Sequence, residues 1–225
     1  YGKLLVMDKD PEAIKDARQL AAADARVSIF AGSFKNIGEF CQQMGVVGKI
    51  DGILFDLGVS SPQLDQAERG FSFMRDGQLD MRMDHNSGIS AAQWLAVASA
   101  EEIAAVLKNL GEERFSNRIA KAITNKRAQQ PITTTKELAD IISAAIPVKE
   151  KHKHPATRSF QAIRIYINQE LEDLNAALNR VIEILNVHGR LVAISFHSLE
   201  DRIVKQYIAQ QVKGDDFPHL LPIKH

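Results

Sequence analysis

The stretch Asp51–Asp65, DGILFDLGVSSPQLD, decides how the chain is read. Its apolar run Ile53-Leu54-Phe55 has strand character and ends on a carboxylate, Asp56. A glycine, two serines and a proline follow. A charge at the end of a buried strand costs several kcal/mol, on the order of 3 or more, unless something pairs it. An acid delivered into a Gly-Ser turn therefore points to a ligand that carries a cation or an amine. Gly58 lets a backbone approach such a ligand closely. Ser60 and Ser61 offer hydroxyls, and Gln63 offers an amide donor and acceptor.

Upstream, LLVMD (Leu4 to Asp8) is another apolar run ending on an acid. Asp10 is placed to cap a following helix, with Pro11 at its first position. RVSIFAG (Arg26 to Gly32) reads as a second strand, and IGEFCQQMG (Ile37 to Gly45) as a helix closed by glycine. With Ile50–Asp56 as third strand, the first 58 residues alternate β-α-β-α-β. That alternation predicts an α/β fold with a doubly wound, mostly parallel sheet, and its third strand is apolar enough to be central. Ligands in such sheets sit beyond the carboxyl ends of the strands, where Asp8, Gly32-Ser33-Phe34, Asp56 and Ser195-Phe196-His197-Ser198 all fall.

Residues 59–88 read as loop. From Ser90 to about Ile146 the pattern is helical and no strand interrupts it, which predicts an inserted all-helical domain. Apolar spacing from Ile163 to Leu185 predicts one long helix over 155–186, followed by a strand at Gly189–Ser198 and a last helix at Leu199–Val212. The expected division is 1–88 and 151–225 for the two parts of the α/β domain, with 89–150 as the helical insertion.

Composition bounds the function only loosely. The chain has 225 residues, 28 basic and 28 acidic, so global charge favours neither a nucleic acid nor a membrane surface. No run reaches the roughly 18 apolar residues of a membrane span. A single cysteine, Cys41, forbids an intrachain disulfide and fits a reducing compartment. Charge is distributed locally, however. Over 149–164, five cations against Glu150 leave +4, whereas over 51–84 seven acids against Arg69, Arg75 and Arg82 leave −4. A basic patch of that kind suits phosphates, and a solvated helix start explains it equally well. His152 and His154 lack further ligands at zinc spacing, so no metal is expected. Neither a nucleophile elbow nor a phosphate-binding P-loop is present. On pattern alone, Asp8 is a ribose-diol acceptor or a turn acid, and Phe34 is an adenine neighbour or a core ring.

The segments DGILFDLGVSSPQLDQAERGFSFMRDGQLDMRMD, GEERFSNRIAKAI, HPATRSFQAIRIYINQEL and SFHSLEDRIVK resemble, along nearly the whole chain, the bacterial 16S ribosomal RNA (cytosine-N4)-methyltransferase H family. The resemblance implies a class I, Rossmann-like methyltransferase domain with a helical insertion, and S-adenosyl-L-methionine as cofactor. It implies 16S rRNA of the small ribosomal subunit as partner and the cytoplasm as location, with a homodimer left open. By motif, Asp8, Phe34, Asp56 and Gln63 are expected at the cofactor. Asp56, Ser60 and Ser61 are expected at the chemistry, with the general base unassigned. Lys151, Lys153, His154, Arg158, Arg164 and His197 are expected to meet RNA. The family's glycine-rich turn would precede Tyr1 and its last strands are missing, so the sequence reads as an internal fragment. Two alternatives stand beside this one: a nicotinamide-dependent oxidoreductase, which would need a Tyr-Lys or His dyad that is not evident, and a catalytically incomplete RNA-binding fragment.

Overall fold

A computed structural model describes residues 2–148 and 154–213. Strand β1 (Leu4–Asp8) runs into helix α1 (Pro11–Ala23), whose first turn is capped by Asp10 Oδ1 accepting from Glu12 N–H. Strand β2 (Val27–Ala31), a 3-10 turn (Phe34–Asn36), helix α2 (Ile37–Gln43) and strand β3 (Ile50–Asp56) complete the expected alternation. The stretch expected as loop contains a short helix, α3 (Ser61–Asp65), and a 3-10 turn at Ala67–Arg69. Four helices follow: α4 (Ala91–Val97), α5 (Ala100–Gly111), α6 (Ser116–Arg127) and α7 (Thr135–Ala145). Ser60/Gln63, Ser90/Gln93, Ser99/Glu102 and Thr134/Glu137 form capping boxes that start α3, α4, α5 and α7.

The sheet differs from expectation. Among the described residues it consists of two parallel pairs, β1 with β2 and β3 with strand β4 (Leu185–Ile194), rather than one continuous doubly wound sheet. The apolar run in β3 suggested burial on both faces. In fact burial alternates: Ile53 and Phe55 are buried while Leu54 is 62% exposed, so β3 is covered on one face only.

The single long helix predicted for 155–186 is two helices, α8 (Thr157–Asn168) and α9 (Glu170–Ile184). Gln169 separates them in the left-handed region, φ 53°. Apolar spacing continues across the break because both helices bury a face, so periodicity carries no trace of it. The following strand starts earlier than predicted, at Leu185, and passes an irregular register between Ile50 and Gly52, with His188 at φ 72°. Helix α10 (Ser198–Lys213) ends the described chain.

Two apolar clusters organise these elements. One gathers Trp94, Leu107, Ile119, Leu138 and Ile163 from the helical region and α8. The other gathers Phe55, Leu174, Leu178, Val181 and Tyr207 around β3, α9 and α10. In the helical cluster α5 and α8 cross so closely that a Cβ on Gly111 would stand 2.6 Å from the backbone oxygen of Arg158 and 3.0 Å from Ala162 Cβ. Because the first of these atoms is main chain, no side chain can swing away to make room. Gly111→Ala is therefore expected to destabilise by about 1–3 kcal/mol, seen as a lower urea midpoint at unchanged m-value.

Candidate active site

The loops after β1 and β3 meet over a buried carboxylate. Asp10, 3% exposed, accepts from Gln63 Nε2 at 2.7 Å and from Arg69 Nη2 at 2.8 Å, both on Oδ2. Burial alone would raise its pKa. Hydrogen bonds from Arg69, Gln63 and the Glu12 N–H more than offset that and hold the carboxyl below its ordinary range. Arg69 also donates to the carbonyl oxygens of Arg82 and Met83, at 3.3 and 2.9 Å. Asn168, at the end of α8, donates to Met81 O and accepts from Met83 N–H, both at 2.7 Å. The carboxyl ends of β1 and β3 are thus stitched to one side of the molecule.

Asp8 stands at the exposed end of β1, two residues before Asp10. Its Oδ1 accepts from Asp10 N–H at 2.8 Å. Its surface is open to water, yet the protein atoms crowded around it desolvate the charged form and push the carboxyl above its ordinary range; the Asp10 charge adds to this and backbone N–H groups oppose it. Asp56 is exposed at the end of β3, opposite Ile194 in register, with no side-chain partner among the described residues. Ser60 and Ser61 are exposed beside it. Ser60 Oγ accepts from Gln63 N–H at 3.4 Å, which leaves its own O–H free to donate. Phe34 is half-buried, one side packed on Phe55 with ring centroids 5.7 Å apart.

Gln63 is placed differently from the expectation of a cofactor ligand. It is 5% exposed; its oxygen caps Ser60 N–H and its nitrogen binds Asp10, so it braces the turn from below. Arg164 and His197, expected to face RNA, turn inward. Arg164 forms a bidentate pair with Glu170, both contacts 2.9 Å. The His197 side chain is 9% exposed, with Nε2 3.2 Å from Glu200 Oε1 but off the line of a hydrogen bond. His154 stacks on Phe73, centroids 4.4 Å apart, and Arg158 donates to Glu112 O at 3.3 Å. Lys151 and Lys153 lie outside the described residues.

Helix α6 adds a basic surface beyond the 149–164 patch. It carries Arg118, Lys121, Lys126 and Arg127 without a single acid, and Arg118 and Lys121 are exposed one turn apart. The missing signal was local: a window placed on the helix, SNRIAKAITNKR, shows four cations and no anion.

The family model of the MraW methylase family matches residues 1–225. The chain belongs to that family. Its members use S-adenosylmethionine and methylate rRNA, which sets aside the nicotinamide oxidoreductase. Among the described residues no helix is long and apolar enough to cross a membrane. The residues at these strand ends fit the cofactor on their chemistry. A carboxylate at Asp8 has the oxygens a ribose diol would need, a half-buried ring at Phe34 has an apolar face, and Asp56 is an exposed acid without a side-chain partner among the described residues.

Asp8 has a testable signature. A folded-state pKa above the unfolded value means that its stabilising contribution is present at low pH and lost as pH rises through the folded value, so ionised Asp8 weighs against the fold at neutral pH. Asp8→Asn is expected to hold or raise the melting temperature at pH 7 while weakening cofactor binding, measured by thermal melts and calorimetry in parallel.

Proposed function

We propose that this MraW-family methyltransferase places its methyl group on the exocyclic N4 of a cytosine in the decoding region of 16S rRNA, in the cytoplasm. The observation that carries the reading is the pair of under-partnered carboxylates, Asp8 and Asp56, at the ends of two strands whose following loops are joined by the Gln63–Asp10 hydrogen bond. The cofactor, when bound, supplies a methyl on a positively charged sulfur. Asp8 holds the ribose hydroxyls, Phe34 flanks the adenine, and Asp56 lies towards the cationic end. Gln63 supports these from beneath.

Cytosine N4 is a weak nucleophile because its lone pair is delocalised into the ring. The site must therefore align nitrogen and methyl at about 3–3.5 Å and give the amine an acceptor. The exposed turn Asp56 to Ser61 is suited to this. Asp56 or a backbone carbonyl of the turn accepts an N–H hydrogen bond, which localises the lone pair on nitrogen. As the C–N bond forms, the bond from that methyl to sulfur would break to leave a neutral thioether, and a proton leaves the nitrogen for that acceptor or for water. The base must leave its stack to reach the turn. We assign the grip on the surrounding RNA to the helical region 89–150, with α6 contributing Arg118 and Lys121 to phosphates and His154 and Arg158 flanking them.

Transfer of labelled methyl to small subunits lacking the modification, with the product nucleoside identified by mass spectrometry, tests the assignment. Asp56→Ala is expected to lower turnover about 100-fold or more with the fold intact; near-normal turnover refutes its role, and a methyl on any other atom refutes the target. Arg118→Ala with Lys121→Ala is expected to weaken RNA binding and flatten its salt dependence by about one to two units of log–log slope, measured by filter binding across a salt series.

A further inference from the structure

Phe196 is 70% exposed, the only exposed phenylalanine among the described residues. It lies just past β4, whose Ile194 pairs with Asp56. Its ring rests against Gly58: a Cβ there would stand 3.2 Å from Phe196 Cδ2. Gly58 has φ 93°, so the turn is bent in a way that side chains resist and also leaves the space that the ring occupies. Below the ring the backbone is anchored. Phe196 N–H donates to Glu200 Oε2 at 2.9 Å, Glu200 is 2% exposed, and the His197 imidazole closes on its other oxygen. Glu170, held by Arg164, lies within 4.8 Å of both His197 and Glu200. The backbone is fixed while the ring stands in solvent, beside the turn that carries Asp56 and Ser60.

We infer that Phe196 is the stacking platform for the extruded target base. A flat π face held ready next to the proposed acceptor matches a planar pyrimidine, since bases taken out of a helix are held between aromatic or apolar side chains. Stacking is tolerant of base identity because every base has a π face. Phe196 therefore supplies hold and orientation, and selection of cytosine falls to hydrogen bonds on the Asp56–Ser61 turn. Glu200 is the positioning residue: it fixes the Phe196 backbone without touching the base.

This inference rests on the proposed RNA methylation, and the test separates the two. The full chain, as wild type, Phe196→Ala and Phe196→Tyr, is assayed for labelled methyl transfer to unmethylated small subunits, with cofactor affinity measured by calorimetry. Phe196→Ala is expected to lose roughly 5- to 150-fold in kcat/KM, the range for one base–aromatic stack, with cofactor Kd within about twofold and activity restored in Phe196→Tyr. Wild-type transfer with Phe196→Ala unchanged overturns the platform alone. A loss of cofactor affinity that accounts for the lost activity assigns the ring to the cofactor and also overturns it. If the wild type binds cofactor but transfers nothing to RNA, the functional reading fails and the platform with it.

Discussion

A single buried carboxylate organises the site. Asp10 caps α1, anchors Gln63 below the turn after β3, and pairs with Arg69, whose guanidinium also holds Arg82 and Met83 carbonyls. Neither partner can be buried comfortably without the other. Losing one member of such a pair typically costs about 3–5 kcal/mol, because the remaining charge is left unpaired. Stability and geometry are consequently the same interaction here. The contacts that keep Asp10 ionised in the interior also join the loops after β1 and β3, although those strands lie in separate pairs.

A second carboxylate extends the scheme to the next loop. Asp173, 3% exposed in the first turn of α9, accepts from Lys9 Nζ at 3.1 Å and Ser33 Oγ at 2.6 Å, with Lys35 Nζ 3.5 Å away. An acid there is also favoured by the helix N-terminus. Lys9 and Ser33 are immediate neighbours of Asp8 and Phe34. The side chains expected at the cofactor are thus set by a helix far along the chain, and the break at Gln169 is what turns α9 to reach them. Lys9 Nζ also donates to Asn168 O, at 2.6 Å, at that break.

Local rules made much of this legible in the sequence. Asp10-Pro11 announces a capped helix, and the apolar runs announce strands ending at Asp8 and Asp56; helix and strands sit where those signals put them. What could not be read involves choices between partners distant in sequence. Gln63 offers the same amide to a ligand or to Asp10, and only folding shows that Asp10 takes it. Arg164 and His197 are residue types that suit RNA as well as they suit Glu170 and Glu200. Gln169 has no glycine to mark a left-handed residue, and tertiary contacts at Asn168 and Lys9 hold it there. The one-sided cover of β3 is not legible because an apolar triplet reads alike whether one face is covered or two.

Several buried or half-buried acids are neutralised within the fold. Asp10, Asp80, Glu170, Asp173 and Glu200 each meet a cation or an imidazole, and Asp10, Asp80 and Glu200 are held below their ordinary pKa by such contacts despite burial that would raise them. Asp8 and Asp56 have no cation partner among the described residues, although cations stand close by in the chain. Lys9 follows Asp8 directly and is drawn away to Asp173 and Asn168. A fold selected for stability alone would let that lysine neutralise Asp8. With its ammonium bonded to Asp173 and Asn168, Lys9 only partly offsets the desolvation at Asp8, whose carboxyl stays above its ordinary range at a strand end of the kind where α/β sheets bind ligands.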